Sequence, residues 1–151
     1  MKKNEIRDIK LAPNGRRRIE WVKNNMPLLK GIEDSRSKAK PLNGVRISLS
    51  IHLEPKTAYL CQVLAALGAD MSVTGSNVLS TQDDTAAALA EQGMKVFAYH
   101  GATEEEYYRH IEMCLENKPN IIIDDGGDLV GMLHTKRPDL AVDVWGGCEE
   151  T

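Results

Sequence analysis

The residues best suited to chemistry gather just after short apolar runs. Asn120 to Ile123 reads NIII, a β-branched stretch that fits a buried strand, and Asp124-Asp125-Gly126-Gly127 follows at once. Two carboxylates at a strand's carboxyl end, then glycines through which backbone N–H groups can approach a ligand, have the makings of a binding loop. The same four residues are also good turn formers. Side chains alternate along a strand, so one aspartate is expected to face the site while the other caps the following turn. His52 follows a second apolar run, and its imidazole can give or take a proton near neutral pH, with Asp125 able to orient it or share that proton. A histidine simply hydrogen-bonded into the sheet edge is the plainer alternative. Asn77 and Gln82 can donate to and accept from a base or a sugar, or they can cap the helix beginning at Asp83. Glu149 can accept from vicinal hydroxyls, or stand solvated near the last residue. His100, His110 and His134 read as packing or surface residues, and Glu104-Glu105-Glu106 as a charge run that complements a helix dipole.

The elements that must position these groups follow from periodicity. Apolar residues Ile19, Val22, Met26, Leu29 and Ile32 fall at helical steps between about Ala12 and Arg36, with Pro27 breaking or kinking the helix. Ser37 to Gly44 is a linker, and Val45 to Ile51 alternates as a strand. Pro55 then opens a helix that Gly68 stops. Strand-then-helix units recur: Asp70 to Thr74 with Asp83 to Gln92, Lys95 to Ala98 with Thr103 to Asn117, and Asn120 to Ile123 with Asp128 to His134. A last strand is expected at Leu140 to Trp145. Such alternation predicts a Rossmann-like α/β domain, its parallel sheet wrapped by helices on both faces, at residues 45–151, with a helical N-terminal extension at 1–44. In a parallel sheet the loops after all five strands share one edge, so His52, Glu54, Lys56, Asn77, Gln82, Asp125 and Glu149 converge there. The opposite loops carry little beyond turn residues.

Composition excludes several classes. With 151 residues, 27% charged and a net charge of −3, the chain has no electrostatic footprint for nucleic acid or an anionic membrane. No run is long enough for a transmembrane helix and the first 20 residues are charged, so a cytoplasmic location is expected. Three widely spaced cysteines fit reduced thiols better than a disulfide frame, and the histidine spacing matches no metal site. Glycine fingerprints for dinucleotides or nucleoside triphosphates are missing from these residues, as is the serine nucleophile elbow.

The ordered set DIKLA at 8–12, HLEPKTA at 52–58, SNVLSTQDDTAAAL at 76–89, GATEEEY at 101–107, DDGGDL at 124–129, HTKRPDL at 134–140 and CEET at 148–151 resembles the N-terminal substrate-binding part of S-adenosyl-L-homocysteine hydrolase. Members of that family cleave S-adenosylhomocysteine to adenosine and homocysteine. Their tightly held NAD oxidises the ribose 3′-hydroxyl and so acidifies the 4′ proton; homocysteine is eliminated, water adds, and the ketone is reduced again. The resemblance implies that His52 and Asp125 are the acid–base pair at the 5′ carbon. It implies ribose binding by Glu149, a pocket lined by Asn77 and Thr57, and a nucleobase held by Glu54, Lys56 and Gln82. The commoner motif reads His-x-Thr-x-Glu-Thr, whereas this chain has His52-Leu53-Glu54-Pro55-Lys56-Thr57, as certain archaeal and bacterial members do. Where the glutamate could accept from an adenine amino group, Lys56 can only donate, which implies tolerance of or preference for a 6-oxo base such as hypoxanthine. Relative to the family the sequence stops inside the Glu-Glu-Thr motif and lacks the NAD domain. The expectation is therefore a chain that holds no NAD tightly and does not turn over alone, its missing domain supplied in cis or in trans, within a homo-oligomer in the full enzyme. The rival expectation is a standalone nucleoside-binding or regulatory module. A receiver-type domain is disfavoured because the acidic pair follows the fourth strand.

Overall fold

The computed structural model describes residues 3–150; Met1, Lys2 and Thr151, and with Thr151 the last position of the CEET motif, lie outside the described residues. A single 3-10 turn at Ile9–Leu11 leads into α1 (Ala12–Lys23), and α2 (Pro27–Arg36) follows, so Pro27 divides two helices and sits in the first turn of the second. Next come β1 (Arg46–Ile51), α3 (Pro55–Ala66), β2 (Asp70–Gly75), α4 (Asp83–Glu91), β3 (Lys95–Phe97), α5 (Glu104–Leu115) and β4 (Ile121–Asp125). The series ends with α6 (Asp128–Thr135), α7 (Pro138–Ala141) and β5 (Gly146–Glu150).

All four strand pairings are parallel, in the order β3-β2-β1-β4-β5. The order reverses at β1, so the crevice between the carboxyl ends of β1 and β4 is the topological switch point where open α/β sheets bind ligands. Alternation along β1 sends Ile47 and Leu49 into the core under α1, α3 and α4, with Ile19, Val22, Tyr59 and Leu89. Ser48, on the other face, donates its hydroxyl to the Cys114 carbonyl in α5 at 2.8 Å. A second core beneath α5, α6 and α7 gathers Phe97, Ile111, Leu115, Ile122, Leu129 and Leu133. Helices thus cover both faces. The N-terminal segment is tied in as well: Glu5 pairs with β3 through Glu5 N–H to Val96 O and Ala98 N–H to Glu5 O, at 2.8 and 3.0 Å.

Two expected boundaries are corrected. Asp124 and Asp125 belong to β4 itself, not to the loop after it. The expected strand at Leu140 to Trp145 is instead the end of α7 and a turn, and the fifth strand is Gly146–Glu150. Pro138 at the start of α7 favours helix, and Leu140 is buried against α6. β5, with sequence GGCEE, has no β-branched residue; it is a strand because it pairs with β4, starting from Trp145 N–H to Asn120 O at 2.7 Å.

Candidate functional site

A cleft of about 640 Å³ opens at the carboxyl edge of the sheet, lined by His52, Glu54, Lys56, Thr57, Ser80, Gln82, His100 and Glu150. His52 leaves the end of β1, and Asp125 is the last residue of β4, so the switch point brings the two together. Nε2 of His52 lies 3.5 Å from Oδ2 of Asp125, and Nδ1 lies 2.5 Å from Oγ of Ser80. Ser76, just past β2, donates its hydroxyl to the same Asp125 oxygen at 2.7 Å. The carboxylate is therefore aimed at the imidazole by a third group.

Asp124 does the capping work expected of one member of the pair. It is fully buried and accepts from the Val130 and Asp125 amides at 2.8 and 3.0 Å, which ties β4 to the first turn of α6. Burial pushes its carboxyl up, against the pull of those two amides, and Glu149 nearby adds to the rise. Between them, Gly126 and Gly127 both take left-handed φ values of 85° and 77°, a turn that a side chain would strain.

The first turn of α3 positions the next group. Glu54 is its N-cap, and one carboxylate oxygen accepts from the Lys56 and Thr57 amides at 3.0 and 3.1 Å. Thr57 is nearly buried, whereas Lys56 is exposed in the cleft and its ammonium has no hydrogen-bond or ion-pair partner among the described residues. After β2, Asn77 folds its side-chain oxygen back onto the Leu79 and Ser80 amides at 2.8 and 3.2 Å, and its NH2 group has no acceptor among the described residues. Gln82 is the N-cap residue of α4 but makes no side-chain cap bond, and its Oε1 is buried without a partner among the described residues.

The two carboxylates of β5 divide the same way as those of β4. Asp124 pairs in register with Glu149, and Asp125 with Glu150, so alternation puts Glu150 on the His52 side and Glu149 on the other. Glu149 accepts from the Gly126 amide at 2.7 Å and does not line the cleft; Glu150 does. Of the residues singled out from sequence, His52, Glu54, Lys56, Thr57 and Gln82 line the cleft, Asp125 meets it through His52, Asn77 shapes the loop beneath Ser80, and Glu149 lies off it. Four neighbours were not singled out. Ser76 and Ser80 stand inside the SNVLSTQDD segment, Glu150 is signalled only by the register of β5, and His100, read as a packing or surface residue, lines the cleft and donates Nδ1–H to the Thr81 carbonyl at 3.2 Å.

The amino edge also has a cleft, of about 560 Å³, where Lys95 binds Asp70 and Asn117 and Arg46 donates to Lys118 O. Among the described residues no three His, Cys, Asp or Glu side chains gather to hold a metal, and no helix is long and apolar enough to cross a membrane. Nor do these residues fit a dinucleotide. In sheets of this order the pyrophosphate sits on the first helix after β1, and here the Glu54 carboxylate already occupies that N-terminus.

A sequence model of the S-adenosyl-L-homocysteine hydrolase family matches residues 3–146. The chain belongs to this family. Among curated relatives, the S-inosyl-L-homocysteine hydrolase of Methanocaldococcus jannaschii is 50% identical over 147 residues, covering 97% of this chain and 35% of the relative. The adenosylhomocysteinase of Pyrococcus abyssi is 49% identical over 146 residues, with the same shares, and the S-inosyl-L-homocysteine hydrolase of Methanopyrus kandleri is 49% identical over 146 residues, covering 34% of that protein. The chain spans about a third of the length of these relatives, so as a member of the hydrolase family it supplies one part of what they carry.

Proposed function

We propose that this chain is the purine-nucleoside-binding part of a thioether hydrolase, and that it favours a 6-oxopurine such as the hypoxanthine of S-inosylhomocysteine over adenine. In the full protein the reaction would release the nucleoside and L-homocysteine. Residues 45–151 form the substrate-binding domain in this reading, and 1–44 an extension whose described residues pack on α3, α4 and β3. Lys56 carries the base preference. Its unpaired ammonium faces the cleft and can only donate, so it matches the O6 acceptor of a 6-oxopurine and cannot receive the amino group of adenine. Glu54 is partly committed to capping α3, which leaves Lys56 as the group with most freedom to discriminate.

His52 and Asp125 act as the acid–base pair at the 5′ carbon: the imidazolium protonates the leaving thiolate, and the neutral ring then takes a proton from the incoming water. Asp125 balances the charge that this creates. Ribose hydroxyls go to Glu150, on the His52 side of β5, with Glu149 holding the Gly126 turn. Asn77 donates from its free amide, while Thr57 and Gln82 wall the base end. Redox chemistry at the 3′ carbon, which family resemblance assigns to NAD, belongs to the part of the relatives outside this chain, joined in cis or in trans. By itself the chain binds without turning over, in the cytoplasm, and its full-length form is a homo-oligomer.

Titration of inosine and adenosine into the isotope-labelled chain, followed by amide resonances, tests this. Inosine is expected to move Thr57, Ser80, Gln82 and Glu150 and to saturate at lower concentration than adenosine. Shifts confined to the amino-edge cleft, or equal or weaker binding of inosine, would overturn the reading.

A further inference from the structure

We propose that Ser80 is the positioning residue for His52. It partners Nδ1 whether or not that nitrogen carries a proton, and so keeps Nε2 turned toward Asp125 while the ring changes charge. The functional weight of this rests on the acid–base role given to His52 above; the geometry does not.

The Ser80 hydroxyl has one hydrogen and two lone pairs. Its oxygen lies 2.5 Å from Nδ1 of His52 and 3.2 Å from the Asn77 carbonyl oxygen. With His52 neutral and its proton on Nε2, the hydroxyl donates to Nδ1. With His52 protonated, Nδ1–H donates to Oγ and the hydroxyl hydrogen turns to Asn77 O, which can only accept. That carbonyl already takes the Thr81 amide at 3.1 Å and the Thr81 hydroxyl at 2.9 Å. Ser80 is a third donor to that oxygen, called on when Nδ1 becomes a donor. Rotation of one O–H bond thus satisfies both charge states without moving a heavy atom.

Nothing else among the described residues holds this side of the ring. The imidazole side chain is 48% exposed, and Asp125 at 3.5 Å is too distant to fix it alone. The charged and titratable groups facing His52 are Asp125 from β4, Glu150 from β5, Lys56 and Glu54 at the start of α3, and His100 after β3; none has a hydrogen bond to Nδ1. Ser80 itself is held independently of His52, since its amide donates to Asn77 Oδ1 at 3.2 Å within a turn closed by Thr81 N–H to Asn77 O. The backbone that carries the hydroxyl is thus held without the ring.

The test reads the ring nitrogens of 15N-histidine-labelled chain without any ligand, so it reports positioning whether or not His52 transfers protons. Wild-type chain and Ser80→Thr, which keeps the hydroxyl, are expected to show neutral His52 as a single Nε2–H tautomer, with Nδ1 displaced from the shift of a free acceptor nitrogen. In Ser80→Ala the Nδ1 signal moves to the free-acceptor position, and the two ring signals drift toward the tautomer average of an unrestrained imidazole. An Ala variant whose His52 nitrogens match wild type, or a wild-type neutral ring that carries its proton on Nδ1, overturns the proposal.

Discussion

At the scale of single residues, the site is a set of pairs in which one member does structural work and frees the other. Asp124 caps α6 while Asp125 meets His52; Glu149 holds the Gly126 amide while Glu150 faces the cleft; Glu54 caps α3 while Lys56 stays unpaired among the described residues. The first of these divisions was legible in the sequence, because two adjacent strand residues must point to opposite faces. The second was legible in kind but not in assignment: which glutamate faces His52 depends on the register of β5 against β4, and register is a property of the pairing. Ser76 and Ser80 escaped because a serine in a loop has no pattern of its own. The capping role of Glu54 leads to a prediction at this scale. Glu54→Ala removes the acceptor for two amides and should lower stability by about 1 kcal/mol in urea titrations. Inosine affinity should fall as well, since the turn that presents Lys56 frays.

At the scale of elements, the sequence revealed helices and inner strands through periodicity, and it misplaced the fifth strand because Leu140 to Trp145 alternates like one. Pro138 and the burial of Leu140 outweigh that alternation locally, and strand character falls to Gly146–Glu150, which owes it to pairing alone. The seam between α1 and α4 was not legible either. There an added Cβ at Gly15 would sit 1.9 Å from the Asp84 carbonyl oxygen, which is backbone and cannot step aside. Gly15→Ala should therefore destabilise the chain by about 1–3 kcal/mol, whereas Gly31→Ala, in an exposed stretch of α2 with open space around it, should stabilise by up to about 1 kcal/mol. Opposite signs in thermal melts check both.

The N-terminal arm makes a further element-scale prediction. Glu5 accepts from Arg109 and His110, and His110 is almost fully buried. Burial holds the His110 imidazole below its ordinary value of 6.5, only partly offset by Glu5. Burial also pushes the Glu5 carboxyl up, but Arg109 and His110 outweigh it and hold it below 4.5. In both cases the unfolded chain binds the proton more readily. Stability is thus lost as pH falls through 6.5 toward the folded histidine value, and again below 4.5 toward that of Glu5. Urea midpoints measured from pH 8 to pH 3 should decline in that direction, and Glu5→Gln should flatten the more acid part.

At the scale of the whole molecule, a sheet of order β3-β2-β1-β4-β5 has its switch point between β1 and β4, and the chain places a histidine at the end of one and an aspartate at the end of the other. Dinucleotide-binding proteins use the same crevice with a glycine-rich turn; here a glutamate caps the helix instead. About two thirds of the length of the relatives lies outside what this chain spans. The ratio of inosine to adenosine affinity, measured by calorimetry on the chain and on Lys56→Glu, tests the base preference directly. A hydrogen bond to a charged group contributes about 1.5–3 kcal/mol, so wild-type chain should favour inosine by about 10- to 100-fold, and Lys56→Glu should invert the ranking. An adenosine preference in the wild-type chain, or a ratio unchanged by Lys56→Glu, would contradict it.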